Sequence, residues 1–355
     1  MQYRIVWCVA LFLLLGEAVL EVRAHLRGWD TVLFGLVSSA GGRARTADST
    51  FGPSEAFPFR SQRVERAVAS VWIASASYAD DRGLPPEATF PHLLQVELSG
   101  PDRQVQVLNA ARAGNAILAN ADRLDAIGSE WNPDVVVLYS MSLDIDVLSR
   151  RLVAGELPAV EDVNHGILGP FAAGIRRVGE ETTAYSLLKS NLTPLVAEQK
   201  ILAPDLPPQA ADDFAAFLHE FVTAVRALGA VPVLTTFAVR TEPGVTPGLE
   251  DRKFILRWNP HLSPSGWRRA VARLNEATLR FAEERGLAVI DVASQIGGRE
   301  EWFRDLVHFT PEGHRQVARV LAAGLREMIV GAATGTSGET PATGRNAPVS
   351  PGATP

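Results

Sequence analysis

Cysteine is nearly absent from this chain: Cys8 is the single one in 355 residues. An intrachain disulfide is therefore excluded. Cys8 lies in the first apolar segment and lacks the small-residue surroundings expected of a lipidation site. An excess of positive charge is missing too. The chain has 34 Lys and Arg against 40 Asp and Glu, a formal net charge of −6. No basic stripe stands out, which argues against nucleic acid as a partner. No set of His, Cys, Asp and Glu has the close spacing of a zinc site, and there is no glycine-rich phosphate loop or dinucleotide fingerprint. Nothing in the sequence calls for a metal or a cofactor. Internal repeats are absent as well.

Long apolar runs are also scarce. Arg4 precedes the run Ile5 to Gly16, which Ala18-Val19-Leu20 extends past Glu17. This is short of the roughly 20 residues a membrane helix needs. Val22-x-Ala24 offers a signal-peptidase site. Residues 1–24 thus read as a cleaved signal peptide or a signal-anchor, and either puts the main domain outside the cytoplasm. Residues 25–63 read as a connector, with a shorter apolar patch at Val32 to Val37 followed by Gly41-Gly42. Residues 331–355 are rich in Gly, Ala, Thr and Pro, with one acid and one base. Such a tail cannot bury a core and is expected to be disordered.

Between these ends, strand and helix patterns alternate. Strands are expected near 69–75, 103–109, 134–139, 231–236 and 287–292, and helices near 90–99, 116–128, 211–229, 264–285 and 311–329. The segment Ala211 to Leu228 shows a helical stripe, with Phe214, Phe217, Leu218, Phe221, Val222 and Val225 on one face and Gly229 ending it. Alternation of this kind implies parallel βαβ units. The expected fold is a three-layer α/β/α sandwich, flavodoxin-like, with a parallel sheet of about five strands over residues 64–330. The long connection at about 145–208 is expected to form helices capping a site.

The most informative stretch is Asp305-Leu306-Val307-His308-Phe309-Thr310-Pro311-Glu312-Gly313-His314. Thr310 can cap a helix, and Pro311 suits its first turn. Val317, Val320, Leu321 and Leu325 then follow at helical spacing. Asp305 and His308 therefore share a loop whose geometry the helix fixes. A carboxylate there holds the imidazole in one tautomer and leaves the other nitrogen as a base. The nucleophile to match is Ser77, just past the strand Ala69 to Ala74, at the edge where α/β sheets gather ligands. Two more strand ends carry small or polar residues: Asn109 to Asn115, and Ser140-Met141-Ser142-Leu143-Asp144. Asp144 reads as a helix cap or a brace for the site. His314 is expected on the helix with its ring in solvent. Arg240 and Arg257, after the fourth strand, read as surface arginines, with a hold on an anionic substrate as the alternative.

From about Val64 to about Met328 the chain resembles the SGNH hydrolases, also called GDSL esterases/lipases. Ser77, with Leu84-Pro85-Pro86-Glu87-Ala88-Thr89-Phe90-Pro91 downstream, looks like the family's first block. Gly114 falls on the second block's glycine, and Asp305-x-x-His308 with Thr-Pro-Glu-Gly-His looks like the last block. The resemblance implies a Ser77–His308–Asp305 triad, a Gly114 N–H in the oxyanion hole and ester substrates. Two places depart from the family pattern. Ser75-Ala76 stands for its Gly-Asp, and Met141-Ser142-Leu143-Asp144 stands for Gly-x-Asn-Asp. Leu143 cannot donate the hydrogen bond that the family's asparagine gives the oxyanion; Asn115 is the nearest substitute in sequence. The expectation is a serine esterase of the cell envelope acting on ester bonds, such as O-acyl groups of a polysaccharide. The alternatives are an O-acyltransferase, or a non-catalytic module that binds or scaffolds glycan through the same cleft.

Overall fold

The computed structural model describes residues 57–154, 202–241 and 245–334. Five strands, β1 (Ala69–Ser75), β2 (Val105–Asn109), β3 (Val135–Tyr139), β4 (Val231–Thr235) and β5 (Ala288–Ile290), form an all-parallel sheet in the order β2-β1-β3-β4-β5. Strands β2 and β3 read VQVLN and VVVLY and are buried throughout. Unbroken burial, in place of alternation, follows from a sheet covered on both faces. Pro232 sits inside β4, where a missing N–H would normally break the ladder. Val231 donates to Asp134 of the β3 side, so the Pro232 nitrogen points the other way. There β5 begins only opposite Val233, and the absent donor costs no hydrogen bond.

The described helices are α1 (Phe90–Leu98), α2 (Ile117–Trp131), α3 (Ser142–Ala154), α4 (Ala210–Ala227), α5 (Leu249–Trp258), α6 (Pro264–Glu284), α7 (Val292–Ile296) and α8 (Pro311–Thr334). One layer holds α1 against α8. The other packs α2 on α4 and α4 on α6, with α3 touching both α4 and α6. The three layers and the five-stranded parallel sheet are those expected from the sequence. The α4 stripe is buried as expected, each large side chain contributing about 1.5–3 kcal/mol. Ser263 caps α6 by accepting from the Gly266 N–H at 3.0 Å.

Three differences from the sequence reading have plain causes. Strand β5 stops at Ile290 because the Asp291 side chain caps α7, accepting from Ser294 N–H at 3.2 Å. Helix α5 was hidden by a mean hydropathy too low to stand out, with charged residues at Glu250, Asp251, Arg252 and Lys253. Phe57 and Phe59, read as connector, belong to the core, with Phe59 edge-on to Trp72 at 5.2 Å and to Trp131 at 4.9 Å. Helix α3 opens the long connection, whose residues 155–201 lie outside the described residues, as do the N-terminal segment, most of the connector and most of the tail.

Candidate active site

Between Val71 and Asp81 every residue is buried except Ser77. Strand β1 ends at Ser75, whose hydroxyl donates to the Tyr139 carbonyl of β3 at 2.6 Å. The Ala76 carbonyl then accepts from both Ala79 and Asp80 N–H groups at 3.1 Å, closing a tight turn around Ser77. Asn109, at the end of β2, donates its side-chain amide to the Ala79 carbonyl at 3.0 Å and fixes that turn from the other side. The serine is thus lifted out of the sheet at the β1/β3 switch point, where the strand order reverses and crevices form.

The opposite wall is the loop 303–309. Phe303 and Phe309 form an antiparallel bridge across its base, and Arg304 N–H donates to the His308 carbonyl at 2.8 Å. Thr310 caps α8 by accepting from Gly313 N–H at 3.2 Å. A Cβ on Gly313 would lie 2.0 Å from the Trp302 carbonyl oxygen, so only glycine lets the helix start press this close beneath the loop. Inside the loop, Asp305 Oδ1 accepts from the N–H groups of Val307 and His308 at 3.0 and 2.8 Å. Its Oδ2 lies 2.8 Å from His308 Nδ1. His308 Nε2 lies 2.8 Å from Ser77 Oγ. Burial alone would raise the Asp305 carboxyl, but the His308 ring and the two N–H groups outweigh it and hold it below its ordinary range. An ionised Asp305 fixes the proton on Nδ1 and leaves Nε2 as acceptor for the serine proton.

Gly114 has φ +90°, and Asn115 N–H closes a turn onto the Arg112 carbonyl at 3.1 Å. That is the third-position backbone of a type II turn, which glycine adopts freely. Asp144 is fully buried in α3 and accepts from the Ile117 N–H of α2 at 2.9 Å, with Ser140 Oγ at 3.4 Å. It braces the helix that follows the Gly114 turn. Burial raises its carboxyl to about 7 despite these donors. Asn115 takes no part in the hydrogen bonds around Ser77; it lines a separate hollow beside α2.

Two hydroxyl residues missed by sequence reasoning meet at the switch point. Tyr78 and Ser142 are hydrogen-bonded to each other across the switch point. The Tyr78 ring is packed 5.9 Å from the His308 ring and 4.9 Å from Phe237. Leu143, next to Ser142, is partly buried against the core. Phe254 of α5 meets the His308 ring at 6.3 Å from the other side. Tyr78 follows Ser77 directly, and Ser142 fills the variable position of the third block; those adjacencies were the signal available.

His314 corrects an expectation: its ring is fully buried, not in solvent. Its Nδ1 accepts from Phe90 N–H at 3.1 Å, and its Nε2 faces Asp81 Oδ2 at 3.6 Å. Arg240 is also committed elsewhere, paired with the buried Asp251 and tying the loop after β4 to α5. Arg257 stands over the Trp258 ring at 5.2 Å, on the surface. Among the described residues no group of three His, Cys, Asp or Glu is placed to hold a metal. Among them, too, no helix is long and apolar enough to cross a membrane.

No protein-family model matches the chain, and no curated protein matches its sequence. Solved structures with a similar arrangement include a lipase/acylhydrolase from Enterococcus faecalis, at 13% identity and TM-score 0.44, covering 73% of this chain and 96% of that one. An acetyl xylan esterase is similar at 15% identity and TM-score 0.44, covering 72% and 99%. A psychrotrophic esterase from Pseudoalteromonas sp. is similar at 12% identity and TM-score 0.43, covering 74% and 98%. All three likenesses are loose.

Proposed function

We propose that this chain is a divergent serine esterase of the SGNH type. The observation that carries the reading is the unbroken relay Asp305 Oδ2–His308 Nδ1 and His308 Nε2–Ser77 Oγ, both at 2.8 Å, ending on the one partly exposed residue of its segment. In this reading Ser77 Oγ attacks the ester carbonyl while His308 takes its proton. Asp305 orients the ring and stabilises the imidazolium. The tetrahedral oxyanion sits on the N–H groups of Ser77 and Gly114. The third donor, absent at Leu143, comes from the Tyr78–Ser142 pair. Two hydroxyls sharing one hydrogen bond leave one O–H proton uncommitted, and that proton is available to the oxyanion. Asn115, the substitute nearest in sequence, lines a separate hollow and makes no hydrogen bond to the Ser77 site. Collapse returns the His308 proton to the leaving alcohol, and water then resolves the acyl-serine. A sugar hydroxyl bound in place of that water would make the same site an acyltransferase.

The glycan-binding rival without catalysis calls for Ser77 and His308 set apart; 2.8 Å supports the enzyme. The Arg4-led apolar run at the N-terminus supports export, as a cleaved signal or a membrane anchor, and hence an extracytoplasmic ester such as an O-acylated polysaccharide. The test is hydrolysis of a short-chain activated acyl ester by the parent chain and by Ser77→Ala. Turnover by the parent that falls at least about 10³-fold in the variant is expected; equal rates would remove Ser77 from the chemistry.

A further inference from the structure

The Gly114 loop has a second face. Arg112 N–H donates to the Ser75 carbonyl at 3.4 Å, so the loop leaves the sheet edge beside the nucleophile turn. On its far side Arg112 and Asn115 meet Asp122 and Arg123 of α2 around a hollow of about 350 Å³. Its floor includes Ala119 and Ile127. That volume lies in the lower part of the range for ligand pockets, about 300–1,000 Å³.

The charges around this hollow are unbalanced. Two arginines line it against one carboxylate residue, Asp122, which is exposed. Arg123 is half-buried, gives one nitrogen to the Pro58 carbonyl at 3.3 Å, and keeps its Nε buried without a partner. Burial, and then the neighbouring charge of Arg112, push the Arg123 guanidinium down to about 10. Among the described residues the Arg112 side chain makes no hydrogen bond or ion pair; its charge reaches the Asp80 carboxylate at longer range. A cation held near a second cation is stabilised by an incoming oxyanion. Arginine forks suit the planar geometry of a carboxylate. An apolar floor below a polar rim suits the C–H face and the hydroxyls of a sugar ring.

We propose that this hollow binds the carboxylate of an acidic sugar unit of the substrate, held by Arg112 and Arg123, with Asn115 on a ring hydroxyl. The link to catalysis rests on the esterase reading; the binding itself does not. The site lies on the outer face of the turn that carries Gly114, so an acidic unit seated there leaves a neighbouring unit's ester to reach Ser77.

The test uses the full chain carrying Ser77→Ala, so that no ester chemistry intervenes. Calorimetric titration compares a uronic-acid trisaccharide, a neutral trisaccharide of the same linkage and inorganic phosphate. The uronide is expected to bind at least tenfold more tightly than the neutral sugar, and to weaken as salt rises. Adding Arg112→Gln, at an exposed position, is expected to weaken uronide binding about tenfold with the melting temperature unchanged. Equal binding of acidic and neutral sugars, or of the uronide with and without Arg112, would overturn the proposal. Phosphate binding as tight as the uronide with the same Arg112 dependence would also overturn it, in favour of a phosphate site. Absence of ester hydrolysis in the parent chain would count against the esterase reading alone, since this titration does not depend on it.

Discussion

Two Asp–His pairs flank the start of α8, and they differ in every respect but composition. Asp305 and His308 lie in the loop before the helix, with His308 Nδ1 bonded to the carboxylate at 2.8 Å and Nε2 bonded to Ser77. His314 lies in the first turn of α8 and Asp81 in the loop after Ser77, with the ring fully buried and its Nδ1 occupied by Phe90 N–H. Their approach is longer, 3.6 Å, and both nitrogens of the ring are directed at groups already held in the fold. Burial is the largest influence on both buried partners. It lowers His314, whereas Asp81 is drawn down to about 2 by His314, Arg304 and the Gly83 N–H in spite of burial. The first pair leaves a basic nitrogen in reach of a substrate. The second uses both nitrogens inward and ties the loop after Ser77, through Asp81, to Arg304 and α8. What separates a pair that reacts from a pair that holds is where the second ring nitrogen points, not which residues are present.

This contrast can be broken at either end. Asp305→Asn is expected to cost the most in rate, on the order of 10²–10⁴ in kcat, because an amide facing Nδ1 selects the wrong tautomer. Its stability is expected to stay within about 1 kcal/mol of the parent, since the asparagine oxygen can still accept from Val307 and His308 N–H. Steady-state kinetics and urea denaturation on the same preparation check both halves. Asp81→Ala is expected to do the opposite. Removing this buried partner of Arg304 and His314 costs about 1–3 kcal/mol of stability. Turnover per folded molecule is expected to fall far less than in Asp305→Asn. If Asp81→Ala abolished turnover without loss of stability, the two pairs would not divide the work as described.

A smaller effect is expected at the switch point. Ser142→Ala removes one hydroxyl of the Tyr78–Ser142 pair and is expected to lower kcat by about 10², the order seen for one oxyanion donor. Leu143→Asn is expected to give no increase, because the donor it would restore is already supplied. A clear gain from Leu143→Asn with no loss from Ser142→Ala would hand the deficit back to the third block.

The smallest effect concerns pH. Asp144 is raised to about 7 in the folded chain, mainly by burial, from an ordinary carboxylate value. Between that ordinary value, near 4, and about 7 the folded state binds the extra proton, so this group's contribution to stability falls as pH rises. Asp144→Asn keeps an acceptor for Ile117 N–H and removes the ionisation. Its stability relative to the parent is expected to increase from pH 4 to pH 7, read by thermal melts across that range. A difference that does not change with pH would mean that Asp144 is not held protonated.

Much of this was legible in the sequence, for identifiable reasons. The five strands announce themselves because a sheet covered on both faces needs unbroken apolar runs, as in Val135-Val136-Val137-Leu138-Tyr139. Ser77, Asp305 and His308 could be picked out because a nucleophile, a base and its orienting acid fall on loops that the strand ends and the α8 cap bring to one edge. What stayed hidden depends on pairings between distant segments. The Tyr78–Ser142 contact needs β1 and β3 to be neighbours, which the helix and strand pattern alone does not say. His314 looked solvated because it sits among Glu312, Arg315 and Gln316, and only the packing of α8 on α1 buries its ring against Phe90. Phe57 and Phe59 looked like linker because the strand they pack on begins ten residues later.

The most direct measurement is covalent. The full chain is treated with an alkyl phosphonate ester that reports on activated serines, then digested and read by mass. The account predicts one adduct, on the peptide containing Ser77, absent from Ser77→Ala and strongly slowed in Asp305→Asn. A folded parent chain that takes no adduct, or takes it on another serine, would contradict the relay from Asp305 through His308 to Ser77.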